Sequence, residues 1–212
     1  MTSTIVFVTD FPDAAIAAQE ITPSGFDLAV VPARSQEYEE ALKTSEFLVG
    51  FVDSLVDDEL FKTGPNLKLI QLLSAGYDRA DIEAARNAGV PIANNGGANS
   101  VAVSEHAILL MLAVSRQLVR QHTTVAAGHW RGNETPRVHE LRNKTLGIVG
   151  LGTIGKKTAR LASAFGMNII YYDIARLAEH EEDAIGVRFR LLKELLRESD
   201  LISIHTPLNN ST

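Results

Sequence analysis

KTLGIVGLGTIGKKTARLASAFGMNIIYYD, residues 144–173, decides the fold. Leu146, Gly147, Ile148 and Val149 form a short apolar run that reads as a buried strand. Gly150, Gly152 and Gly155 follow with the spacing G-x-G-x-x-G, and residues 156–165 read as a helix ending at Gly166. A second apolar run, residues 169–172, ends on Asp173, which lies 18 residues after Gly155. Each part meets a physical demand. Gly150 permits a tight turn out of the strand, Gly152 lets backbone approach a pyrophosphate, and Gly155 lets the helix pack closely on the sheet. The helix N-terminus offers free N–H groups and partial positive charge to phosphates. A carboxylate at Asp173 can accept hydrogen bonds from a ribose hydroxyl. Three glycines alone are weak evidence, since an unrelated βαβ unit can carry the same turn. These follow a strand, open a helix and are answered by an acid at the tip of the next strand. The stretch therefore reads as dinucleotide-binding.

The bulk properties set limits around that reading. A chain of 212 residues accommodates one or two domains with ample core. At 45% hydrophobic and 22% charged, its composition is that of an ordinary globular protein. The formal net charge of −6 argues against nucleic acid and anionic membrane surfaces as partners. With no cysteine, disulfide and thiolate chemistry are excluded and a cytoplasmic location is the default expectation. The N-terminal MTSTIVFVTD has no basic segment before its apolar run, unlike a signal peptide, and no apolar run has the length of a membrane span.

Residues 1–98 alternate strand and helix: strands at 5–8, 26–31, 47–52, 68–73 and 90–93, and helices at 14–20, 38–43, 57–62 and 81–88, the last closed by Gly89. Apolar runs separated by helices imply a parallel sheet covered on both faces, and five strands suit a flavodoxin-like order. Ligands of such sheets bind at the carboxyl ends of the strands. There the chain places Ser74, Ala75 and Gly76 after strand four, and Asn94, Asn95, Gly96 and Gly97 after strand five. The small Ser74-Ala75-Gly76 loop could turn successive N–H groups on one anion, although by itself it also reads as a plain strand-to-helix turn. Asp10 and Asp53 read as helix caps or solvated turns.

Residues 99–143 read as a connecting helix and an arm. Asn99 and Ser100 suit a helix cap, and the helix of residues 101–119 is apolar all round from 107 to 114, which predicts burial between elements. Glu105 and His106 are helix neighbours and do not face each other. Residues 121–143 are polar and contain Trp130, Pro136, His122, His129 and His139, and read as an extended arm whose Trp130 anchors in a partner subunit or neighbouring domain. After Asp173 come a polar stretch, residues 178–183, a short helix, 191–198, and a third strand, 201–204, ending in His205, Thr206 and Pro207. This βαβαβ pattern, residues 144–212, is the first half of a doubly wound fold. It would leave the strand at Leu146 as an apolar edge, so a longer parent chain is expected.

Several stretches together resemble the D-isomer-specific 2-hydroxyacid dehydrogenases: LLSAGYDRADIEAARNAGVPIANN, ANSVAVSEHAILLML, LRNKTLGIVGLGTIGKKTARLASAFGMNIIYYD and SDLISIHTPLNNST. They occur in family order from Leu72 onward, while the first seventy residues match in pattern only. The resemblance implies an α/β protein with a flavodoxin-like substrate domain (1–98), an interdomain helix and dimerisation arm (99–143), and a Rossmann domain for NAD that is incomplete at residue 212. It implies hydride transfer between nicotinamide and C2 of a small 2-oxo or 2-hydroxy acid, and a homodimer. By position, Ser74, Ala75 and Gly76 match the family loop that holds the substrate carboxylate, which reverses the local reading of that loop. Val103 matches a residue near the nicotinamide, Thr153 and Ile154 match residues at the pyrophosphate, and His205, Thr206 and Pro207 match a loop beside the cofactor. Asp173 matches the adenosine-ribose acid and favours NAD, while Arg176 keeps NADP open, since a guanidinium can pair with a 2′-phosphate.

Two departures qualify the resemblance. The family's catalytic histidine, glutamate and arginine have no match within residues 1–212: His106, His122, His129, His139, His180 and His205 all fall elsewhere. This chain alone is therefore expected to be inactive. The arginine that phosphoglycerate-type members carry after strand three is replaced by the run Gly50, Phe51, Val52, Asp53, which disfavours a phosphorylated substrate. Two other readings share the scaffold: a non-catalytic NAD(H)-binding member or regulator, and a formate- or phosphite-type dehydrogenase.

Overall fold

The computed structural model describes residues 2–130 and 137–208, so residues 131–136 of the expected arm, Pro136 among them, and residues 209–212 lie outside the description. The chain divides into two compact units, Met1–Ala98 and Asn99–Thr212.

In the first unit, strands β1 (Ser3–Val8), β2 (Phe26–Val31), β3 (Phe47–Gly50), β4 (Leu69–Leu72) and β5 (Ile92–Ala93) form one parallel sheet in the order β2-β1-β3-β4-β5. This is the flavodoxin-like order expected from the sequence. The helices are α1 (Pro12–Ile21), α2 (Gln36–Leu42), α3 (Asp58–Thr63) and α4 (Ile82–Ala88). Asp57 caps α3 by accepting from the Leu60 N–H at 2.9 Å, and Asp81 caps α4 through the Ala84 N–H at 2.9 Å. Gly89 ends α4 with φ 70°, a left-handed turn that glycine adopts without cost. Val6, Leu48, Ile70 and Leu72 are fully buried within the core that α2, α3 and α4 help to cover. Each such aliphatic side chain contributes about 1.5–3 kcal/mol of transfer free energy.

Asp53 departs from its expected role. It heads a single 3-10 turn (Asp53–Leu55), but its carboxylate neither caps a helix nor faces water. It is buried and accepts from Arg79 Nε and Nη2, both at 2.8 Å. A carboxylate at that depth requires a paired cation, and a planar guanidinium supplies one in two-pronged form.

In the second unit, α5 (Ser100–Ser115) and α6 (Leu118–Ala126) precede β6 (Thr145–Val149), α7 (Thr153–Ala164), β7 (Asn168–Tyr172), α8 (Glu179–Ile185), β8 (Val187–Phe189), α9 (Leu192–Glu198) and β9 (Leu201–Ile204). The sheet is parallel, in the order β8-β7-β6-β9. This corrects the strand count. The segment read as a polar stretch holds α8, and Gly186 (φ 79°) turns the chain into β8, a strand of three residues with a charged centre. Leu201–Ile204 is therefore the fourth strand of this sheet, not the third. It pairs with β6 on the side away from β7, so β6 is internal and not an edge. Gly147 makes this arrangement possible: a Cβ there would fall on Ser199 Oγ and the Leu195 side chain, at α9.

The single helix expected over 101–119 is two helices. Gln117 has φ 49°, which ends the first run and redirects the chain into α6 as far as Ala126, well inside the expected extended arm. Asn99 stands at the N-cap of α5, but its side chain makes no cap hydrogen bond. Nor is α5 buried all round. Ile108 and Met111 enter the core with Leu146, Ile148 and Ala159, whereas Leu109, Leu110 and Val114 are exposed at 52%, 52% and 74%. One face suffices to pack within the unit, so the apolar opposite face is left over.

Candidate functional site

Two clusters form at the carboxyl ends of strands, one in each unit. In the first unit, β4 leads into Ser74, Ala75 and Gly76. The Leu73 N–H donates to Gly50 O at 2.9 Å and roots the loop. Its carbonyls are then occupied in turn: the Asn95 N–H donates to Ser74 O at 2.9 Å, Asn94 Nδ2 to Ala75 O at 2.7 Å, and Ser74 Oγ to Gly76 O at 2.7 Å. Among the described residues no acceptor meets the N–H groups of Ala75 and Gly76. A loop whose carbonyls are satisfied and whose amides are not has donors to offer an anion. The Asn94 and Asn95 loop supplies two of the three donors, so the end of β5 acts as a brace. The Asp53–Arg79 pair stands at the far end of the same loop, a feature that sequence spacing did not reveal.

In the second unit, the cluster forms around the turn from β6 into α7. Gly150 has φ 92°, and a Cβ there would sit 2.7 Å from His205 O and 3.0 Å from Thr206 Cγ2. The turn can therefore lie directly under the chain leaving β9, where the His205 N–H donates to Val149 O at 2.8 Å. Gly155 is buried, and a Cβ would collide with Gly150 O, so glycine lets α7 close onto the turn. Gly152 differs from both: a Cβ there would meet nothing within 4 Å. It stands at the N-cap of α7 and offers no side chain to cap it. The first amide there to find an acceptor is that of Lys156, on Gly152 O at 2.9 Å. The N–H groups of Thr153 and Ile154 are thus left, among the described residues, for a group outside the chain.

Asp173, at the end of β7, accepts from the Leu151 N–H at 2.7 Å through Oδ2 and from the Ala175 N–H at 3.3 Å through Oδ1. Each oxygen keeps acceptor capacity, so the carboxylate is oriented without being saturated. Ser203 Oγ lies 2.9 Å from His205 Nε2, and burial holds the His205 pKa below its ordinary value, favouring the neutral ring. Gly150, Gly152, Thr153, Ile154, Gly155, Asp173, His205 and Thr206, with Pro207 following, therefore gather at one end of one sheet. Val103 lies on the first turn of α5, half-buried, where its N–H donates to Asn99 O at 2.9 Å.

Arg176 is already engaged. Its Nε donates to Glu182 Oε1 at 2.9 Å, and its guanidinium carbon lies 5.3 Å from the Phe189 ring centroid. Glu182 is buried and also accepts from Tyr171 Oη at 3.0 Å. The Arg176 guanidinium is the first cause that holds the Glu182 carboxyl below the usual glutamate range.

The family model for the D-isomer specific 2-hydroxyacid dehydrogenase NAD binding domain matches residues 108–212. The chain belongs to the D-isomer specific 2-hydroxyacid dehydrogenase family. It is 40% identical over 179 residues to a glyoxylate reductase of Thermococcus litoralis, covering 82% of this chain and 54% of that protein. It is 38% identical over 157 residues to a hydroxypyruvate reductase of Thermotoga maritima, covering 74% of this chain and 50% of that protein. Among solved structures, a D-lactate dehydrogenase from Aquifex aeolicus complexed with NAD and lactic acid superposes with a TM-score of 0.84 at 26% identity, covering 98% of this chain and 62% of that one. The chain thus spans about half the length of the curated relatives it matches. The cofactor of the matched domain is NAD, and the turn from β6 into α7 fits it: Gly152 leaves bare backbone, the amides of Thr153 and Ile154 meet no acceptor among the described residues, and Asp173 is fixed with acceptor capacity to spare.

Proposed function

We propose that the protein is an NAD-dependent oxidoreductase that reduces a small 2-oxo acid to its D-2-hydroxy acid, with glyoxylate and hydroxypyruvate as the first candidates. The observation that carries this reading is the turn from β6 into α7, where open amides and a fixed acid lie together at the strand ends. The names of the relatives supply the substrate class. When bound, nicotinamide supplies the hydride that the 2-oxo carbon receives.

The chain's own residues would divide the remaining work. The amides of Thr153 and Ile154, at the positive end of α7, would hold the pyrophosphate. Asp173 would accept from the ribose hydroxyls. His205, Thr206 and Pro207 would bound the cofactor beside Gly150, and Val103 would stand near the nicotinamide. The free amides of Ala75 and Gly76 would hold the substrate carboxylate, with Ser74 setting the loop by its bond to Gly76 O. On this assignment residues 1–98 form the substrate domain, 99–143 the connecting helix and dimerisation arm, and 144–212 part of the cofactor domain. The proton donor and the substrate-polarising cation that such a reduction needs would come from chain that the longer relatives have in addition. Residues 1–212 alone would then bind cofactor without turnover.

We also propose a cytoplasmic homodimer. The exposed apolar side of α5 and the bare Trp130, 78% exposed, support a second copy as the partner. No single helix among the described residues is long and apolar enough to cross a membrane. The test is a panel of glyoxylate, hydroxypyruvate and pyruvate with NADH and NADPH on the intact protein. NADH-linked reduction of at least one acid is expected. Binding of NADH with no turnover of any acid would favour a non-catalytic regulator instead.

A further inference from the structure

Arg176 stands three residues after Asp173, where a cation could meet a phosphate on the adenosine ribose if its side chain were directed there. It is directed elsewhere. Nε donates to Glu182 Oε1 at 2.9 Å, Nη2 lies 3.5 Å from Oε2, and the guanidinium covers the Phe189 ring. The acceptor that captures it is fixed from several sides. Glu182 is 2% exposed and receives the Tyr171 hydroxyl at 3.0 Å. Tyr171 is fully buried, meets Phe189 edge-on at 5.6 Å and accepts the Leu177 N–H at 2.9 Å. Arg176 is the mobile partner, since its side chain is 59% exposed and that of Glu182 only 3%. Drawing Arg176 away to a phosphate would leave a buried carboxylate with neutral donors alone, the Tyr171 hydroxyl and the Phe189 N–H, and no cation, a costly state.

We infer that Glu182 is a specificity-determining residue that withholds Arg176 from the adenosine end of the dinucleotide and so keeps the site selective for NAD over NADP. This rests on the reading of Asp173 as the ribose acid. It assigns the selectivity to two groups acting together. Asp173 repels a 2′-phosphate, and Glu182 removes the cation that would otherwise compensate.

The test is titration of NADH and NADPH into the intact protein, followed by nicotinamide fluorescence, for the wild type, Glu182→Gln, Arg176→Ala and the double variant. Glutamine keeps the size of the side chain and an acceptor for Tyr171 while removing the charge that holds Arg176. The wild type is expected to prefer NADH. Glu182→Gln is expected to strengthen NADPH binding about tenfold, the worth of one charge-assisted contact, with NADH affinity held within about twofold. Adding Arg176→Ala should abolish the gain. An unchanged NADPH-to-NADH ratio in a folded Glu182→Gln protein that still binds NADH would overturn the inference and leave the dinucleotide reading intact. A wild type that binds neither nucleotide would overturn both. Arg176→Ala alone gives a check independent of how well Glu182→Gln folds. NADPH affinity within about twofold of wild type supports the withheld arginine, and a loss of about tenfold shows that Arg176 already reaches the phosphate and sinks the idea.

Discussion

Three glycines within six residues perform three different tasks. Gly150 admits the carbonyl of His205, Gly155 admits the carbonyl of Gly150, and Gly152 has none of the described residues within 4 Å of where a Cβ would stand. Their spacing was legible in the sequence because close backbone approach leaves only glycine as a choice. Glu182 was not legible. It sits in an acidic run of Glu179, Glu181, Glu182 and Asp183 that reads as a solvated face, and only the packing of Tyr171 and Phe189 buries the third of these. Its buried charge has a pH signature. The Glu182 carboxyl titrates below its ordinary value of 4.5, first because of Arg176, so its contribution to stability is complete above that value and is lost as pH falls through the lower folded-state value. Urea midpoints for the wild type and Glu182→Gln should therefore keep a constant gap from neutral pH down to 4.5 and converge below it. A gap that stays constant at lower pH would show that the charge contributes nothing.

At the scale of elements, long apolar strands and their order could be read from the chain, and short or charged ones could not. The five strands of the first unit follow from apolar runs between helices. Strand β8 escaped because its alternation, Val187-Arg188-Phe189, spans only three residues, and its absence from the count displaced β9 and put β6 at an edge. The break at Gln117 escaped for a related reason: a left-handed residue that is neither glycine nor asparagine leaves no compositional mark. Asp53 and Arg79 were 26 residues apart with nothing in the sequence to join them. The pair ties the 3-10 turn after β3 to the loop after β4, and its two ends are not equivalent. Arg79 has a side chain 65% exposed and can return to water if its partner is lost, whereas Asp53, at 7%, cannot. Arg79→Ala should therefore lower Tm more than Asp53→Asn, measured by thermal unfolding of each variant. The reverse order would mean that the aspartate is hydrated when unpaired.

Over the whole molecule, each unit brings unpaired amides to the carboxyl end of its own parallel sheet. One set belongs to Ala75 and Gly76, the other to Thr153 and Ile154. That repetition is what open parallel sheets provide, and it is why a family resemblance carried by scattered motifs agrees with the fold. The open backbone at Gly152 is the proposed seat of the dinucleotide. The most direct measurement is NADH affinity, by fluorescence titration, of Gly152→Val against wild type, with urea unfolding of both. Since a Cβ at Gly152 meets nothing within 4 Å, the variant should retain the fold, at a cost of about 1 kcal/mol because valine is a poorer N-cap than glycine. NADH affinity should fall at least about tenfold, because the added side chain occupies the approach to the amides. A stable variant that binds NADH as tightly as the wild type would mean that the dinucleotide does not sit on the backbone at Gly152.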